Sequence, residues 1–181
     1  MNAFTDIVGQ QNSNNTRTSV PFCGTSGLRS DQLLATYVGT GSGDALNAAT
    51  LAPSMVHLNI GTNDLLQNYN SSRTAPHTHV TTTIGQIIDA YKTANPSVKV
   101  IVANLFDNNA QAAAFLSCKA SIKSYIEGRA DFGVNSFVFD SFTAMGAYTL
   151  TNWDDDTHLN NAGNVIYNTA HVARLRALFE V

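Results

Sequence analysis

An aspartate and a histidine in one short segment have the spacing of a catalytic pair. Asp155 precedes His158 by three residues, just before a stretch with helical character. A carboxylate at this spacing on a turn can bind Nδ1 of the imidazole, fix its tautomer and stabilise its charged form, as in a hydrolase triad. The alternative is an acidic loop that leads into a helix and carries a surface histidine.

Two further segments could contribute to an anion-binding site. Gly27 opens a helix-forming segment, where its backbone N–H could be offered to an oxyanion. Gly61-Thr62-Asn63-Asp64 follows directly on an apolar run. Each segment is also explained as a plain turn, since glycine, asparagine and aspartate all suit turns.

Four short β-like runs must position these groups. They are residues 4–9, 55–60, 98–105 and 136–140. The third is nearly continuous in valine and isoleucine, as expected for a strand buried on both faces of a parallel sheet. Sites in such sheets form beyond the carboxyl ends of the strands, so the loops after these runs are the places to look for chemistry.

Helical patterns alternate with the β-like runs. They cover residues 31–38 with Ser30 as N-cap, 80–93, 110–129, and a final helix capped by Asn160 or Asn161. In the final helix we predict an apolar face made of Val165, Ile166, Val172, Leu175 and Leu178. The alternation predicts an α/β domain with a parallel sheet and right-handed crossovers.

Composition excludes several classes of protein. The chain has 181 residues, enough for one domain with its own core, and we predict a single domain over residues 1–181. Its formal net charge is −3 and it has no basic run, which argues against nucleic acid as a partner. No apolar run approaches the roughly 20 residues that a membrane span needs.

The same composition bears on compartment and on the cysteines. Charged residues make up only 13% of the chain, about half the usual share, and a surface rich in asparagine and threonine favours a secreted protein. The amino-terminal segment has no signal-peptide pattern. Cys23 and Cys118 are predicted to be independent thiols, with a single disulfide as the alternative.

Taken in order, the segments resemble the SGNH-type (GDSL-family) ester hydrolases, and most of all the branch with acetylxylan and related carbohydrate esterases. The residues that carry the resemblance are 6–9, 24–27, 31–33, 57–64 and 155–158. The resemblance implies a three-layer α/β/α, flavodoxin-like fold with a mostly parallel sheet. It implies small acyl esters as substrates, such as acetyl groups on polysaccharide, and no metal or cofactor.

The resemblance also assigns roles to single residues. It implies that His158 is the general base and that Asp155 orients it. It implies that the Gly27 N–H and the Asn63 side-chain amide are oxyanion donors. The family usually has proline after the histidine, where this chain has Leu159.

One feature of the family is absent, because no Gly-Asp-Ser occurs in this sequence. We therefore expect a domain that is truncated at its amino terminus relative to the family and lacks the first strand and its serine nucleophile. Ser13 and Ser26 are the candidate replacements. The strand edge left open would be covered by residues 4–9 or by segment exchange in a homodimer.

Two alternatives come from other classes of function. An inactive relative could keep a carbohydrate-binding cleft, and Tyr37, Tyr69 and Trp153 are the aromatic residues that favour it. A divalent metal ion could bind to carboxylates of residues 154–156 together with His158. His57 lies inside a predicted strand and is expected to be a hydrogen-bonded core histidine.

Overall fold

A computed structural model describes residues 27–38, 52–68, 76–105, 107 and 112–179 of the chain. The predicted strand at 4–9, both candidate serines, Cys23 and Tyr69 lie outside these residues, so the interpretations that rest on them stay predictions. The elements in chain order are α1 (Ser30–Leu33), a π-helical turn (Leu34–Val38), β1 (Met55–Asn59), α2 (Thr62–Asn68), α3 (Pro76–Ala94), β2 (Lys99–Ala103), α4 (Ala112–Glu127), β3 (Ser136–Phe139), α5 (Ser141–Met145) and α6 (Asn161–Phe179).

The described strands form one parallel sheet in the order β1-β2-β3. Met55 is opposite Lys99 in the register, and Val100 is opposite Ser136. Helices α3 and α4 connect successive strands, as parallel pairing requires. The predicted α/β fold with a parallel sheet is confirmed.

One hydrophobic cluster lies between the sheet and helices α3 and α4. On α3, Ile84, Ile87 and Ile88 are fully buried at the spacing of a single helix face. They belong to the same cluster as Val100 and Val102 of the central strand. Burying a side chain of this size stabilises the fold by roughly 1.5–3 kcal/mol, so this layer fixes the sheet whose carboxyl edge carries the site.

The second cluster lies on the opposite face of the sheet, under α6. Its helix contributes Gly163, Tyr167, His171 and Leu175 as buried residues, one from each successive turn. The predicted apolar face was partly wrong, because Val165 is 66% exposed and Ile166 is 37% exposed. The two clusters on the two faces confirm the three-layer arrangement.

His57 is only in part the core histidine that the sequence predicts, because loss of hydration lowers its pKa to about 3 while part of its side chain stays in contact with solvent. It is an exposed residue of β1, and its ring stacks on the ring of His171 with 4.1 Å between the centroids. His171 itself is buried, with 8% of its surface exposed, and also contacts Phe139. His171 on α6 is therefore the more deeply buried of the two histidines.

Burial of His171 makes stability depend on pH. Burial lowers the pKa of His171 below its usual 6.5, so the folded protein keeps this ring neutral while the unfolded chain protonates it. The stabilisation is complete above about pH 6.5 and is lost as the pH falls towards the lower folded-state pKa. Burial and the neighbouring His171 also lower the pKa of His57, to about 3, so His57 contributes to stability with the same sign. We expect the thermal midpoint to fall between pH 7 and pH 5, to fall less in His171→Gln, and to fall least in the double variant His57→Gln/His171→Gln.

Circular dichroism melts at pH 7, 6 and 5 measure this dependence. Each pKa unit between the folded and unfolded states corresponds to about 1.4 kcal/mol. His158→Gln is the matched control, since His158 is exposed. Equal losses of thermal midpoint in wild type and His171→Gln would rule out His171 as the cause.

Cys118 is a buried free thiol on α4. Burial raises its pKa to about 12, which keeps it protonated and unreactive at neutral pH. The prediction of an independent thiol is confirmed for this residue. Among the described helices, none combines the length and the apolar character needed to cross a membrane.

Candidate functional site

Helix α6 carries the Asp155/His158 segment to the carboxyl edge of the sheet. Near its end, Phe179 packs against Phe137 in the first half of β3, with 5.7 Å between ring centroids. Nearer its start, Tyr167 packs against Phe139 at the last position of that strand, at 5.4 Å. The helix therefore runs antiparallel to the strands, and His158, just before its first turn, lies beyond their carboxyl ends.

The Gly61-Thr62-Asn63-Asp64 segment comes to the same edge directly. Strand β1 ends at Asn59 and α2 begins at Thr62. The Asn59 side chain lies 3.5 Å from the Tyr167 hydroxyl, so the end of β1 meets the first half of α6. The two sequence motifs thus occupy one edge of the sheet, where ligand sites of open parallel sheets form.

Asp155 and His158 form the pair that their spacing predicts. His158 Nδ1 lies 2.8 Å from Asp155 Oδ2 and 3.0 Å from Oδ1. Hydrogen bonds from the imidazole and then from the backbone N–H groups of Thr157 and His158 lower the Asp155 pKa to about 2. The ionised carboxylate accepts only, so Nδ1 carries the proton and Nε2 is the basic nitrogen.

The loop that carries this pair is closed by its own backbone. Asp154 N donates to His158 O at 2.8 Å, and Asn160 N donates to Asn152 O at 3.1 Å. Asn160 is the N-cap of α6, as predicted for it or Asn161, and its Oδ1 accepts from Gly163 N at 3.0 Å. A Cβ on Gly163 would come within 2.2 Å of Asn152 O, so the helix packs against this loop only through glycine.

The second part of the site is the contact between α2 and residues 27–30. Asn63 Nδ2 donates to Leu28 O at 3.2 Å, and Gln67 Nε2 donates to Gly27 O at 2.6 Å. Gly27 has φ of +76°, a conformation that favours glycine. An amide nitrogen carries two hydrogens, so Asn63 keeps one N–H for a further acceptor after binding Leu28.

A buried carboxylate lies beneath this contact. Asp64 has only 1% of its surface exposed, and its two oxygens accept from the Ser30 backbone N–H at 2.9 Å and the Ser30 hydroxyl at 2.5 Å. Burial raises the pKa of Asp64, and the Ser30 hydrogen bonds oppose that rise.

Ser30 is therefore not the N-cap that the sequence predicts. Arg29 takes that position, and its backbone N–H is bound by Gln32.

In the part of the chain that the structure describes, the carboxylates of residues 154–156 do not converge with His158 into a cluster of metal ligands, as the metal alternative would require. Asp155 is engaged by His158 and by two backbone N–H groups. Among the described residues, the group whose ligand atoms lie within 4.8 Å of one another is Asp31, Asp64 and His79 instead. Arg29 pairs with both oxygens of Asp31 at 3.0 and 3.1 Å, and this guanidinium disfavours a cation there.

Of the three aromatic residues offered for a sugar cleft, the structure describes the side chain of Trp153 alone. Trp153 is 2% exposed and packs against Tyr148, so it belongs to the core under the loop. The Tyr37 side chain lies outside the described part of the structure, as does Tyr69.

Two residues of α2 were not predicted to belong to the site, Asp64 and Gln67, which bind Ser30 and Gly27. Asn63 and Gln67 are four residues apart and so lie on the same side of a helix, which is the sequence pattern that could have indicated a common binding partner.

Comparison with known proteins gives a family match and several structures with the same fold. Residues 2–166 match the sequence profile of the GDSL-like lipase/acylhydrolase family. Curated protein sequences give no match. A family 3 carbohydrate esterase from Talaromyces cellulolyticus superposes with a TM-score of 0.66 at 20% identity, covering 86% of this chain and 70% of that one.

Two further solved structures share the fold. A family 3 carbohydrate esterase from Clostridium thermocellum has a TM-score of 0.60 at 24% identity, covering 84% of this chain and 69% of that chain. Axe2, an acetylxylan esterase from Geobacillus stearothermophilus, has a TM-score of 0.61 at 19% identity, covering 86% and 70%. At these identities the similarity shows the shared architecture.

Proposed function

The chain belongs to the GDSL-like lipase/acylhydrolase family, a family of ester hydrolases, and from this we propose that it hydrolyses small acyl esters, with acetyl groups on polysaccharide as the substrate class. The observation that carries the proposal is the 2.8 Å contact between Asp155 and His158 Nδ1, which leaves Nε2 as a base. The Asn63 amide and the Gly27 segment at the same sheet edge support it as oxyanion donors.

The proposed reaction has two halves. His158 Nε2 accepts the proton of a serine hydroxyl as its oxygen attacks the ester carbonyl carbon. The carbonyl oxygen becomes an oxyanion, stabilised by the Asn63 side-chain amide and the Gly27 N–H. The tetrahedral intermediate then expels the alcohol, which receives the proton from His158. Water, deprotonated by His158, attacks the acyl-enzyme in the same way and releases the carboxylic acid and the serine.

For the nucleophile we propose Ser26 or Ser13. Ser26 is the immediate neighbour in sequence of the oxyanion residue Gly27. Ser13 follows the β-like run at 4–9, whose end would reach the carboxyl edge if that run joins the sheet. Either hydroxyl would need an approach to His158 Nε2 of about 3 Å to lose its proton.

Two observations favour acetyl groups over longer acyl chains: the solvent exposure of the His158 and Asp155 side chains, and the names of the structurally similar esterases. The His158 side chain is 74% exposed and that of Asp155 is 59% exposed. Such a site suits a short acyl group on a bulky polymer better than a long acyl chain, which gains affinity by burial in an apolar pocket. Structural relatives carry names of carbohydrate and acetylxylan esterases, which supports the same substrate class.

Initial rates on p-nitrophenyl acetate, butyrate and octanoate, together with acetate release from acetylated xylooligosaccharide, test the proposal. We expect hydrolysis of the acetate to be fastest and acetate to be released from the oligosaccharide. Asp154→Asn, which removes a neighbouring exposed carboxylate, is the control and should keep the wild-type rate. Rates that rise with acyl length would contradict the acetyl assignment, and no hydrolysis of any ester would contradict the function.

A further inference from the structure

The segment from Gly27 to Ser30 is fixed by side chains of a single helix. Asn63 donates to Leu28 O, and Gln67, one turn later, donates to Gly27 O. Asp64, between them in sequence, accepts from both the N–H and the hydroxyl of Ser30. These anchors run from Gly27 O to Ser30, so they hold the chain that follows directly on the Gly27 N–H.

Among these anchors, Asp64 has the largest free-energy cost of burial, because it is a carboxyl group removed from solvent. A carboxylate with 1% of its surface exposed has lost its hydration, which a protein tolerates only where hydrogen bonds replace it. Arg29, which precedes Ser30 in the chain, is paired with Asp31, and His79 Nε2 lies 3.9 Å from the Asp64 carboxylate. Among the residues that the structure describes, the close donors to Asp64 are thus the two groups of Ser30. Two short hydrogen bonds from one buried carboxyl group to the same residue hold that residue of the loop in place.

We infer that Asp64 is a positioning residue for the oxyanion donors: through Ser30 it fixes the 27–30 segment, and with it the Gly27 N–H and the carbonyl that holds the Asn63 amide. The inference rests on the proposed function for its effect on rate. Asp64 itself touches neither substrate nor nucleophile in this role. A donor displaced by about 1 Å can lower a rate by about 100-fold.

The chain offers a matched control for Ser30. Ser136, at the amino end of β3, is also a fully buried serine, and its hydroxyl donates to the Asp131 carboxylate at 2.7 Å. Ser30→Ala and Ser136→Ala therefore each remove a hydrogen bond from a serine hydroxyl to an aspartate, at opposite ends of the sheet. Ser136→Ala also removes the hydrogen bond that the hydroxyl accepts from Lys92 Nζ at 3.2 Å, so it is the more disruptive of the two changes. A general loss of stability would affect both variants alike, whereas a positioning effect would appear only in Ser30→Ala.

We expect Ser30→Ala to lower kcat on p-nitrophenyl acetate about tenfold and Asp64→Ala about 100-fold, with KM within about twofold of wild type. Ser136→Ala should keep kcat. If Asp64 acts through the oxyanion donors, the combined loss in Asp64→Ala/Asn63→Ala should be smaller than the product of the two single losses, because only the effect through the Gly27 N–H remains when the Asn63 amide is absent. Unchanged kcat in Ser30→Ala, or equal losses in Ser30→Ala and Ser136→Ala, would overturn the inference, and so would additive losses in the double variant. Ser30→Ala decides the question if Asp64→Ala does not fold.

Amide hydrogen exchange separates this inference from the proposed function. Peptides that cover residues 27–34 should exchange faster in Ser30→Ala than in wild type or Ser136→Ala, whether or not the protein hydrolyses esters. An inactive wild type with this exchange difference would refute the function and support the positioning role. Identical exchange in all three proteins would refute the positioning role, even in an active enzyme.

Discussion

His158→Ala is expected to lower kcat for p-nitrophenyl acetate by about four to six orders of magnitude, since the general base of a serine hydrolase has effects of this size. In the Asp155/His158 pair, Nδ1 is bound to the carboxylate, so Nε2 is the nitrogen that can accept a proton. The variant removes it. His158 is exposed, so the substitution should leave the thermal midpoint near that of wild type. Steady-state kinetics on the acetate ester measure the loss.

His77→Ala is the control for this prediction. His77 is a half-buried histidine on α3, and its loss should change kcat by less than about twofold, as expected of residues outside the reaction site. A His158→Ala protein that keeps a tenth or more of the wild-type kcat would mean that the Asp155/His158 pair is only a loop-closing contact.

Asp155→Asn is expected to lower kcat by about 10³ to 10⁴-fold while leaving the fold unchanged. Asp155 Oδ1 accepts from the backbone N–H groups of Thr157 and His158, both at 2.7 Å. An asparagine would keep its oxygen at these donors and turn its NH₂ towards His158 Nδ1. The imidazole would then bear its proton on Nε2 and could no longer act as the base.

Kinetics of Asp155→Asn beside Asp154→Asn check this effect. Both variants remove one negative charge from the same exposed loop, so a general electrostatic influence would lower both rates. The tautomer argument predicts a large loss in Asp155→Asn and less than about twofold in Asp154→Asn. A loss below tenfold in Asp155→Asn would indicate that the carboxylate does not set the tautomer.

Local sequence patterns were sufficient to predict the Asp155/His158 pair and the three strands that the structure describes. The Asp-x-x-His spacing lies within one turn, and its geometry follows from a few dihedral angles, which is why Asp155 and His158 meet as expected. The valine- and isoleucine-rich run at 98–105 became β2, Lys99–Ala103, because continuous apolar β-branched residues suit a strand buried on both faces. These features need no knowledge of distant residues.

Long-range contacts account for the predictions that were wrong. Ser30 has the character of an N-cap, but a buried carboxylate 34 residues away binds its N–H and its hydroxyl. On α6 the inward positions hold Gly163, Tyr167 and His171, while Val165 and Ile166 point outward. The prediction placed Val165 and Ile166 in the core because it was based on the spacing of apolar residues, and glycine, tyrosine and histidine do not count as apolar in such a pattern.

The central claim is that His158 activates a serine of this chain for attack on an ester. The most direct measurement is labelling with a fluorophosphonate, followed by peptide mapping by mass spectrometry, in wild type and in His158→Ala. The account predicts one phosphonylated serine in wild type, at Ser26 or Ser13, and no label in His158→Ala. An unlabelled wild type, or a label that persists without His158, would contradict it.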